Sequence, residues 1–578
     1  MIKKKWALRK PLTKKAEKEL EDYPELVRKL LFYRGAKTKQ EAEVYLNPDY
    51  ERDLLDPFLM KDMKKGVDRL LSAIELGERI VIFGDYDADG IPGSVVLSTF
   101  LDEIGFTNYE VYIPDRHNEA YGLNENKIGD FVKDNVKLII TIDCGINDVA
   151  EVKLAQTQDI DVIITDHHLV GKKLPPAYAV IDAKQEDDKY PYKLLAGCGV
   201  MFKFVCAVLK TKRFDLPIGW EKWLLDLVVI ATVSDMVALT GENRMLAYYG
   251  LKVLRQTRRL GLLTLLNQIK LRPANIVEDD ISFMIGPRIN SASRMSHASQ
   301  AYYLLTTKDS AEARTITDHL EEKNQERKDS VERIVRDLGE ILDEKSLPSI
   351  IVKGSPEWGL GVLGMTSSKV VERYGHPTWL WSQNEAGTIK GSCRSDGSLN
   401  VVEVMAGVEK GFFLDFGGHP MAGGFSLAPE KKDELEERLI KSAEKVKKAD
   451  VVTELLVDEE LSLDQLTWAT YKLIEPLAPF GMENPKPIFW LRGVEIDQSK
   501  YFGNGGLHLE LIFQKSDGSK ISAIGFFASP VPDDPTHIFG DVKLETGAKI
   551  DLLFSLEKSM FKNYPELRLR IVDLKKAE

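Results

Sequence analysis

Residues 80–90 read Ile-Val-Ile-Phe-Gly-Asp-Tyr-Asp-Ala-Asp-Gly, an apolar run followed at once by three alternating aspartates. The apolar part is short and β-branched, which is typical of a strand buried on both faces of a parallel sheet. Similar runs lie at residues 111–113, 138–142, 162–165 and 179–181, with helical stretches between them. This alternation predicts an α/β fold built on a doubly wound, mostly parallel sheet.

Acidic side chains and imidazoles follow three of these predicted strands. They are Asp85, Asp87 and Asp89 after the first run, Asp143 after the third, and Asp166, His167 and His168 after the fourth. Ligands of open α/β sheets bind beyond the carboxyl ends of the strands, so these groups are expected at one edge. Clustered carboxylates repel one another unless cations neutralise them, and oxygen ligands with an imidazole suit Mg²⁺ or Mn²⁺ better than zinc. The pattern therefore favours a site for divalent cations.

The aspartate triplet alone is also compatible with a solvated turn or a calcium loop. A calcium loop of the EF-hand type lies between two helices, whereas here a predicted strand precedes the triplet. Asp235 stands alone in an apolar stretch, residues 231–237. Taken by itself, it is interpreted as a helix cap or an ion-pair partner.

Composition narrows the class of protein. A length of 578 residues suggests three or four domains. No apolar run is long enough to span a bilayer, and no apolar segment follows the basic start, so neither a membrane span nor a secretory signal is expected. Four scattered cysteines without a CxxC pair predict free thiols in a reducing cytoplasm. The net charge of -12 does not exclude DNA binding, which depends on local basic patches.

Pattern changes along the chain predict five segments. They are a helical extension (1–70), the α/β catalytic unit (71–308), a long charged connecting helix capped by Asp309 (309–344), a second α/β unit (345–450) and a C-terminal domain (451–578). Short alternating strands in the last segment predict a small β-barrel of the OB-fold type.

Several motifs, taken in order, resemble a known superfamily. GDYDADG (84–90), TIDCG (141–145), TDHH (165–168) and ATVSDMV (231–237) resemble the DHH phosphoesterases. Six further motifs are similar to those of the RecJ family within it, namely YIPDRHNEAYGLN (112–124), LAGCGV (195–200), IGPRIN (285–290), GSCRS (391–395), FGGH (416–419) and PFGMENP (479–485). The resemblance implies a DHH domain, a long connecting helix, a DHHA1 domain and an OB-fold, in agreement with the five segments.

The resemblance also implies an activity, its metal ligands and its catalytic residues. It indicates two-metal hydrolysis of single-stranded DNA from the 5′ end, releasing 5′-mononucleotides, in recombination and repair. Two divalent cations, Mn²⁺ or Mg²⁺, would be held by six ligands: Asp85, Asp87, Asp89, Asp143, His167 and Asp235. Asp143 would bridge the two ions, His168 would contact the scissile phosphate or assist the leaving group, and Asp166 would orient an imidazole.

A second group of residues is predicted to bind the substrate. Its members are Arg116, Tyr121, Arg288, Asn290, Arg294, Arg394 and His419. Arginines pair bidentately with phosphates, a tyrosine can stack on a base, and Asn290 can orient a phosphate or a sugar. The structural alternatives are surface arginines at a helix start, a core tyrosine, an ordinary turn at Arg394 and a structural histidine.

Four positions depart from the family pattern, namely Pro92, Asp182, Ser293 and Gly359, where threonine, asparagine, glycine and histidine are usual. These departures are expected to affect how tightly the substrate is bound and how fast it is cleaved, because none of the four residues is a proposed metal ligand.

Two competing functions are a DHH phosphodiesterase for short oligonucleotides or cyclic dinucleotides, and a non-catalytic replication scaffold. Chain length opposes the first, and the presence of all six ligands opposes the second. The chain is expected to act as a cytoplasmic monomer, with a helicase and a single-strand-binding protein as candidate partners and no membrane association.

Overall fold

The computed structural model describes residues 4–116, 118–119, 121–343, 346–449, 453–526, 528, 538–539, 542–560 and 564–577. His117 and Ala120 of the 112–124 motif, and the predicted domain boundaries at 344–345 and 450–451, lie outside these residues. In the described part of the chain, no helix combines the length and the apolarity needed to cross a bilayer. All four cysteines are buried and free.

The N-terminal segment begins with a strand. Its elements are β1 Lys4–Leu8, α1 Lys14–Glu19, α2 Glu25–Tyr33, α3 Lys39–Leu46 and α4 Tyr50–Asp53. β1 pairs in parallel with residues 453–457, and the Trp6 indole donates to Asp573 Oδ2 over 2.9 Å. The predicted helical extension thus omits a strand that the structure contains, because β1 finds its hydrogen-bond partners only near the other end of the chain.

The catalytic unit is built on a five-stranded parallel sheet. Its elements are α5 Met63–Leu76, β2 Arg79–Gly84, α6 Gly90–Glu103, β3 Tyr109–Tyr112, α7 Glu125–Lys133, β4 Val136–Ile142, α8 Val149–Thr157, β5 Asp161–Thr165, β6 Ala179–Ile181, α9 Gly197–Thr211, α10 Leu225–Ser234, α11 Gly241–Leu254, α12 Leu260–Gln268, α13 Glu278–Asp280, α14 Gly286–Met295 and α15 Ser299–Thr306. The strands lie in the order β3-β2-β4-β5-β6. The five predicted strands are confirmed. Helix α5 crosses the boundary predicted at residue 70.

The central strands are buried on both faces, as their continuous apolar sequence predicts. In β2, Ile80 and Ile82 pack into the larger core on one face, whereas Val81 and Phe83 pack into a second core on the other. A strand held from both sides fixes the position of the loop that follows it. The carboxyl edge of this sheet is therefore a rigid platform.

A long helix, α16 Ser310–Ile341, leads to the second α/β unit. Asp309 caps it by accepting from the backbone of Ala311 and Glu312, as predicted. The second unit contains β7 Ile351–Gly354, α17 Leu363–Tyr374, β8 Thr378–Gln383, β9 Ile389–Arg394, α18 Val401–Ala406, β10 Asp415–His419, β11 Ala422–Leu427 and α19 Leu435–Ala443. Its mixed sheet has the order β10-β11-β9-β8-β7.

The C-terminal domain is built on a seven-stranded sheet. The elements of the domain are β12 Thr453–Val457, β13 Glu459–Glu460, α20 Trp468–Ile474, β14 Phe489–Glu495, β15 Gln498–Phe502, β16 His508–Gln514, β17 Lys520–Gly525, β18 Ile538–Phe539, β19 Val542–Lys543, β20 Lys549–Ser559 and β21 Glu566–Lys576. The strands of the sheet lie in the order β13-β14-β20-β21-β17-β16-β15. Register shifts interrupt the pairing of β14 with β20 and of β20 with β21, and such bulges increase bending. Among the described residues the ladder ends at β13 and β15, and its strands form an OB-like sheet, in agreement with the predicted OB-fold.

The 479–485 motif docks this domain against the catalytic unit. The Met482 carbonyl accepts from the backbone N–H of Leu239 over 2.8 Å, a short distance along the chain from Asp235. Asn484 accepts from the Tyr45 hydroxyl over 2.7 Å, and the Arg244 guanidinium donates to the carbonyls of Tyr45 and Pro476. The N-terminal helices, the catalytic unit and the C-terminal domain therefore meet at one polar junction beside the sheet edge.

A buried ion pair within the catalytic unit also holds the backbone of Leu55 in the N-terminal segment. Lys203 and Glu242 are almost fully buried, and the ammonium donates to Glu242 Oε1 over 2.7 Å and also to the Leu55 carbonyl. The Tyr190 hydroxyl donates to the second Glu242 oxygen over 2.5 Å. The charges are paired and satisfied within the protein, which makes each partner dependent on the other.

We expect Lys203→Met to lower the free energy of unfolding by about 3–5 kcal/mol, because Glu242 would remain buried without its cation. Urea denaturation of the full chain measures the change. Lys441→Met, which removes an exposed lysine paired with Glu437, is the control and should leave stability unchanged. Equal stability of the two variants would contradict the prediction.

Candidate metal centre

Four elements deliver the six predicted ligands to the carboxyl edge of the parallel sheet. Asp85, Asp87 and Asp89 follow β2, Asp143 follows β4, His167 follows β5, and Asp235 follows α10. Their ligand atoms form the groups Asp85–Asp87–Asp143 and Asp89–His167–Asp235, and a third group combines Asp143, His167 and His168. Within each group, the ligand atoms lie within 4.8 Å of one another. Asp143 and His167 each belong to two of these groups.

The His167 imidazole lies at the centre of this cluster. Its Nε2 atom is 3.1 Å from Asp143 Oδ1 and 3.7 Å from one oxygen each of Asp89 and Asp235. Three carboxylates from three separate chain segments thus surround one ring nitrogen. Such a set of oxygens with one imidazole is the chemistry that suits Mg²⁺ or Mn²⁺.

The cluster is electrostatically unfavourable without cations. Burial, reinforced by neighbouring carboxylates, raises the pKa of Asp85, Asp89 and Asp143 well above the ordinary value. Burial and the nearby Asp87 raise the pKa of Asp235 to about 7. Asp85 Oδ1 and Asp143 Oδ1 are buried and accept no hydrogen bond from the described residues. Divalent cations would supply both the missing partners and the missing positive charge, so these residues fit two such ions.

Backbone geometry brings two of the acids close to the start of α9. Asp143 has a φ of 62°, a left-handed conformation that turns the chain sharply at the end of β4. A methyl group on Gly197 would lie 2.6 Å from Asp143 Cβ, so only glycine allows this approach. Asp89 accepts from the backbone N–H groups of Gly197 and Cys198 over 2.6 and 2.7 Å. The 195–200 motif therefore supports the cluster, a role that its sequence did not reveal because the contact is formed between distant segments.

The two consecutive histidines have different surroundings. Asp166 Oδ1 lies 2.8 Å from His168 Nδ1 and also accepts from the backbone of His167. This carboxylate, despite the opposing effect of burial, raises the pKa of His168 to about 9, whereas burial lowers the pKa of His167 to about 4. These pKa shifts favour a neutral His167 ring, the form that a metal ligand must have, and a protonated His168 ring. Asp166 orients His168, not the proposed ligand.

Two of the predicted substrate residues lie beside the cluster. The Tyr121 hydroxyl donates to the Asp143 carbonyl over 2.8 Å, while 46% of the residue remains exposed. Its ring contacts His168 edge-on, with centroids 5.9 Å apart. The Arg116 guanidinium stacks 4.8 Å above the Tyr86 ring. Both side chains thus border the site and keep surface available to a ligand.

Two other predicted substrate residues are engaged within the protein. Asn290 Oδ1 accepts from the Ala88 backbone over 2.9 Å, in the middle of the aspartate triplet. Arg288 is buried and binds Glu321 through two nitrogens, at 2.5 and 3.0 Å, while its third nitrogen donates to the Met284 carbonyl. These contacts indicate that Asn290 positions the triplet and that Arg288 fastens α14 to α16. The sequence showed the residue types but not their partners.

The remaining predicted residues lie between the two α/β units or beyond them. Arg294 donates to the Gly361 carbonyl over 3.3 Å, and burial, together with Arg116 and Arg327, lowers its pKa to about 10. Arg394 lies on β9, where its guanidinium faces Gly364 at the start of α17. His419 is exposed on the edge strand β10, and none of the described contacts joins it to the acidic cluster.

Arg116, Arg294 and Arg327 form a basic flank of the site. The sequence predicted roles for Arg116 and Arg294 but not for Arg327, because Arg327 lies within the charged surface pattern of α16.

We expect Asp143→Asn to raise the melting temperature of the metal-free chain by about 2 °C or more. A carboxyl whose pKa is raised by folding stabilises the protein only at low pH, so its ionised form destabilises the fold at neutral pH. The same variant should lose most of the stabilisation that Mn²⁺ gives the parent chain. Differential scanning calorimetry with chelator and with Mn²⁺ measures both effects.

The control is Asp134→Asn, which changes an exposed aspartate at the end of α7. It should melt like the parent chain with and without Mn²⁺. An Asp143→Asn variant that is stabilised by Mn²⁺ as strongly as the parent would contradict the assignment of Asp143 as a ligand.

We expect Asn290→Ala to weaken Mn²⁺ binding by about tenfold, because the aspartate triplet would lose the acceptor that holds the Ala88 N–H. Titration calorimetry with Mn²⁺ measures the affinity, and Asn267→Ala, at an exposed position of α12, is the control. Unchanged Mn²⁺ affinity combined with weaker binding of single-stranded DNA would instead make Asn290 a substrate contact.

Comparison with known proteins supports each domain. Residues 79–232 match the DHH family N-terminal domain, residues 347–445 match the DHHA1 domain, and residues 457–573 match the RecJ OB domain. The three matches follow the order of the catalytic unit, the second α/β unit and the C-terminal sheet.

Relatives and a solved structure extend the likeness. The chain is 35% identical over 533 residues to the single-stranded-DNA-specific exonuclease RecJ of Bacillus subtilis, and the match covers 91% of this chain and 66% of that protein. It is 33% identical over 506 residues to the protein of the same name from Dickeya dadantii, covering 82% of this chain and 84% of the relative. The crystal structure of RecJ in complex with Mn²⁺ from Thermus thermophilus superposes with a TM-score of 0.80 at 26% identity, covering 99% of this chain and 80% of that one. With its DHH, DHHA1 and OB domains in this order and its acidic cluster at the sheet edge, the chain belongs to the RecJ family.

Proposed function

We propose that the chain is a single-strand-specific exodeoxyribonuclease that hydrolyses phosphodiester bonds from the 5′ end and releases 5′-mononucleotides. The observation that carries the proposal is the convergence of Asp85, Asp89, Asp143, His167 and Asp235, with Asp87, at the carboxyl edge of one sheet. Membership of the RecJ family supports the substrate class. Polarity and product rest on the family resemblance.

The metal ions and the residues around the cluster would have separate roles in hydrolysis. Two divalent cations, Mn²⁺ or Mg²⁺, would neutralise the phosphodiester, activate water as the nucleophile and stabilise the departing oxygen. Asp166 holds His168 through Nδ1, which leaves the Nε2 of a protonated ring for a phosphate oxygen or the leaving group. Tyr121 packs against His168 and fixes the Asp143 carbonyl.

The surroundings of the site suit a single strand. An apolar pocket of about 260 Å³ opens beside Asp235, between the catalytic unit and the docked C-terminal domain, and its lining includes Met236, Phe283 and Met482. Each of these three residues is about half exposed or more. Unstacked bases offer flat apolar faces that such a pocket can bind, whereas the bases of a duplex are already stacked.

The competing functions make different demands on the protein. A phosphodiesterase for dinucleotides does not require a further binding domain, whereas here Leu239 and Arg244 fix the C-terminal domain next to the metal centre. A non-catalytic scaffold does not require buried carboxylate oxygens, such as Asp85 Oδ1 and Asp143 Oδ1, that accept no hydrogen bond from the described residues and that a cation would stabilise. Both observations favour the nuclease.

The wider role follows as part of the same proposal. The enzyme would act in the cytoplasm as a monomer, in recombination and repair of DNA. A helicase that exposes single strands and a single-strand-binding protein are the partners that its substrate would require.

We expect the chain to degrade 3′-labelled single-stranded DNA with Mn²⁺ or Mg²⁺, and to leave it intact with chelator. A duplex with blunt ends should resist, because its bases are already stacked and paired. A bulky block at the 5′ end should stop degradation, whereas the same block at the 3′ end should not. Denaturing gels of a time course measure all of these results.

The matched variants are Asp87→Ala, which should reduce turnover by at least about a thousandfold, and Asp134→Ala, which should be as active as the parent. Digestion from a blocked 5′ end would reverse the proposed polarity. Rapid cleavage of dinucleotides with no activity on longer strands would favour the phosphodiesterase instead.

A further inference from the structure

We propose that Lys184 is a further substrate-contacting residue, whose ammonium binds a DNA phosphate on the flank of the metal centre opposite the arginines. The inference rests on the proposed nuclease function. It arises from the loop that follows β6, a strand that ends at the same edge of the sheet as the strands carrying the cluster.

The loop is built rigidly. Asp182 is fully buried, and its Oδ1 accepts from the backbone N–H of Lys184 over 2.7 Å. Gln185 is also buried, and its amide nitrogen donates to the carbonyls of Val180 and Asp182 over 2.8 and 3.2 Å. Two side chains thus hold the backbone on either side of Lys184. The aspartate at position 182 supplies a carboxylate acceptor for this turn.

Strand register places the loop beside the histidines. β6 pairs in parallel with β5, with Ile181 opposite Thr165, and Asp166 donates its backbone N–H to the Ile181 carbonyl over 3.2 Å. The residues that follow Ile181 therefore leave the sheet next to those that follow Thr165. Lys184 consequently extends from a fixed turn at the edge where His167 lies.

The charge environment of Lys184 is that of the metal centre. Its ammonium is close enough to contribute to the electrostatics of Asp235, His167 and Asp182. None of the described carboxylates lies within ion-pair distance of it, although the side chain is partly buried. By contrast, Lys193 is paired with Asp188 at 2.8 Å. A cation held beside a metal centre without an ion-pair partner of its own is suited to an incoming anion.

The position of Lys184 indicates which phosphate of the DNA strand it binds. Arg116 and Arg294 lie near Asp85, Tyr86 and Asp87, on one side of the cluster. Lys184 follows β6, the outer strand opposite β3, which precedes Arg116, and it lies near Asp235 and His167. A strand whose scissile phosphate occupies the centre would offer one neighbouring phosphate to each flank, so Lys184 and the arginines would bind different phosphates.

The test combines Lys184→Met, which keeps the aliphatic stem, with oligonucleotides that carry one uncharged methylphosphonate at each linkage near the 5′ end in turn. We expect Lys184→Met to lower kcat/KM on unmodified single-stranded DNA by about tenfold, mainly through KM. One methylphosphonate position should abolish the difference between the variant and the parent. For Lys184→Met, the slope of log affinity against log salt concentration should also become less steep by about 0.7.

Lys189→Met, at an exposed position of the same loop region, is the control and should match the parent, and Lys184→Arg should recover part of the loss. A parent chain that leaves the unmodified oligonucleotide intact overturns the proposed function, and this inference with it. A parent chain that digests it no faster than Lys184→Met overturns this inference alone. A difference between variant and parent that persists unchanged at every methylphosphonate position also overturns it, because that result identifies a structural effect.

Discussion

Mutual repulsion among buried carboxylates is the constraint on which the rest of the structure depends. Asp85, Asp89 and Asp143 are almost fully buried within one cluster, and burial raises the pKa of each. Such an arrangement persists only if the surrounding fold is stable enough to hold it and if cations offset the repulsion when they bind. The two apolar cores on either face of the parallel sheet provide that stability. The metal centre is thus a site of stored electrostatic strain on a rigid platform.

Helix α14 connects this strained centre to the second α/β unit. At one point Asn290 accepts from Ala88 within the aspartate triplet, and further along Arg294 donates to Gly361. A methyl group at Gly361 would lie 2.4 Å from the Arg294 carbonyl, so the two units are in close backbone contact. Arg288 fastens the same helix to α16 through Glu321. A displacement of the second unit would therefore be transmitted to the loop that carries the metal ligands.

The sequence predicted what local pattern determines and missed what only distant contacts decide. The strands of the catalytic sheet and the Asp309 cap follow from periodicity and residue type, and both are observed. The roles of Arg288 and Asn290 depend on partners in other segments, Glu321 and Ala88, which no local pattern indicates. Gly197 and Lys184 received no role for the same reason. Asp235, which looked structural by itself, gained its interpretation only from the family resemblance.

The adjacent histidines show how one short motif places two imidazoles in different surroundings. Side chains of consecutive residues diverge in an extended chain, and beyond the end of β5 the rings of His167 and His168 enter different environments. His167 faces three carboxylates within the buried cluster, where a neutral ring can donate its lone pair to a cation. His168 is turned towards Asp166 and Tyr121 at the exposed rim, and the Asp166 carboxylate raises the pKa of its ring to about 9, despite the opposing effect of burial. Because Asp166 belongs to the same strand end, the carboxylate that favours the protonated form of His168 is encoded two positions before it. The motif therefore places a buried imidazole, a second imidazole at the rim and the carboxylate that orients the second one in three consecutive residues.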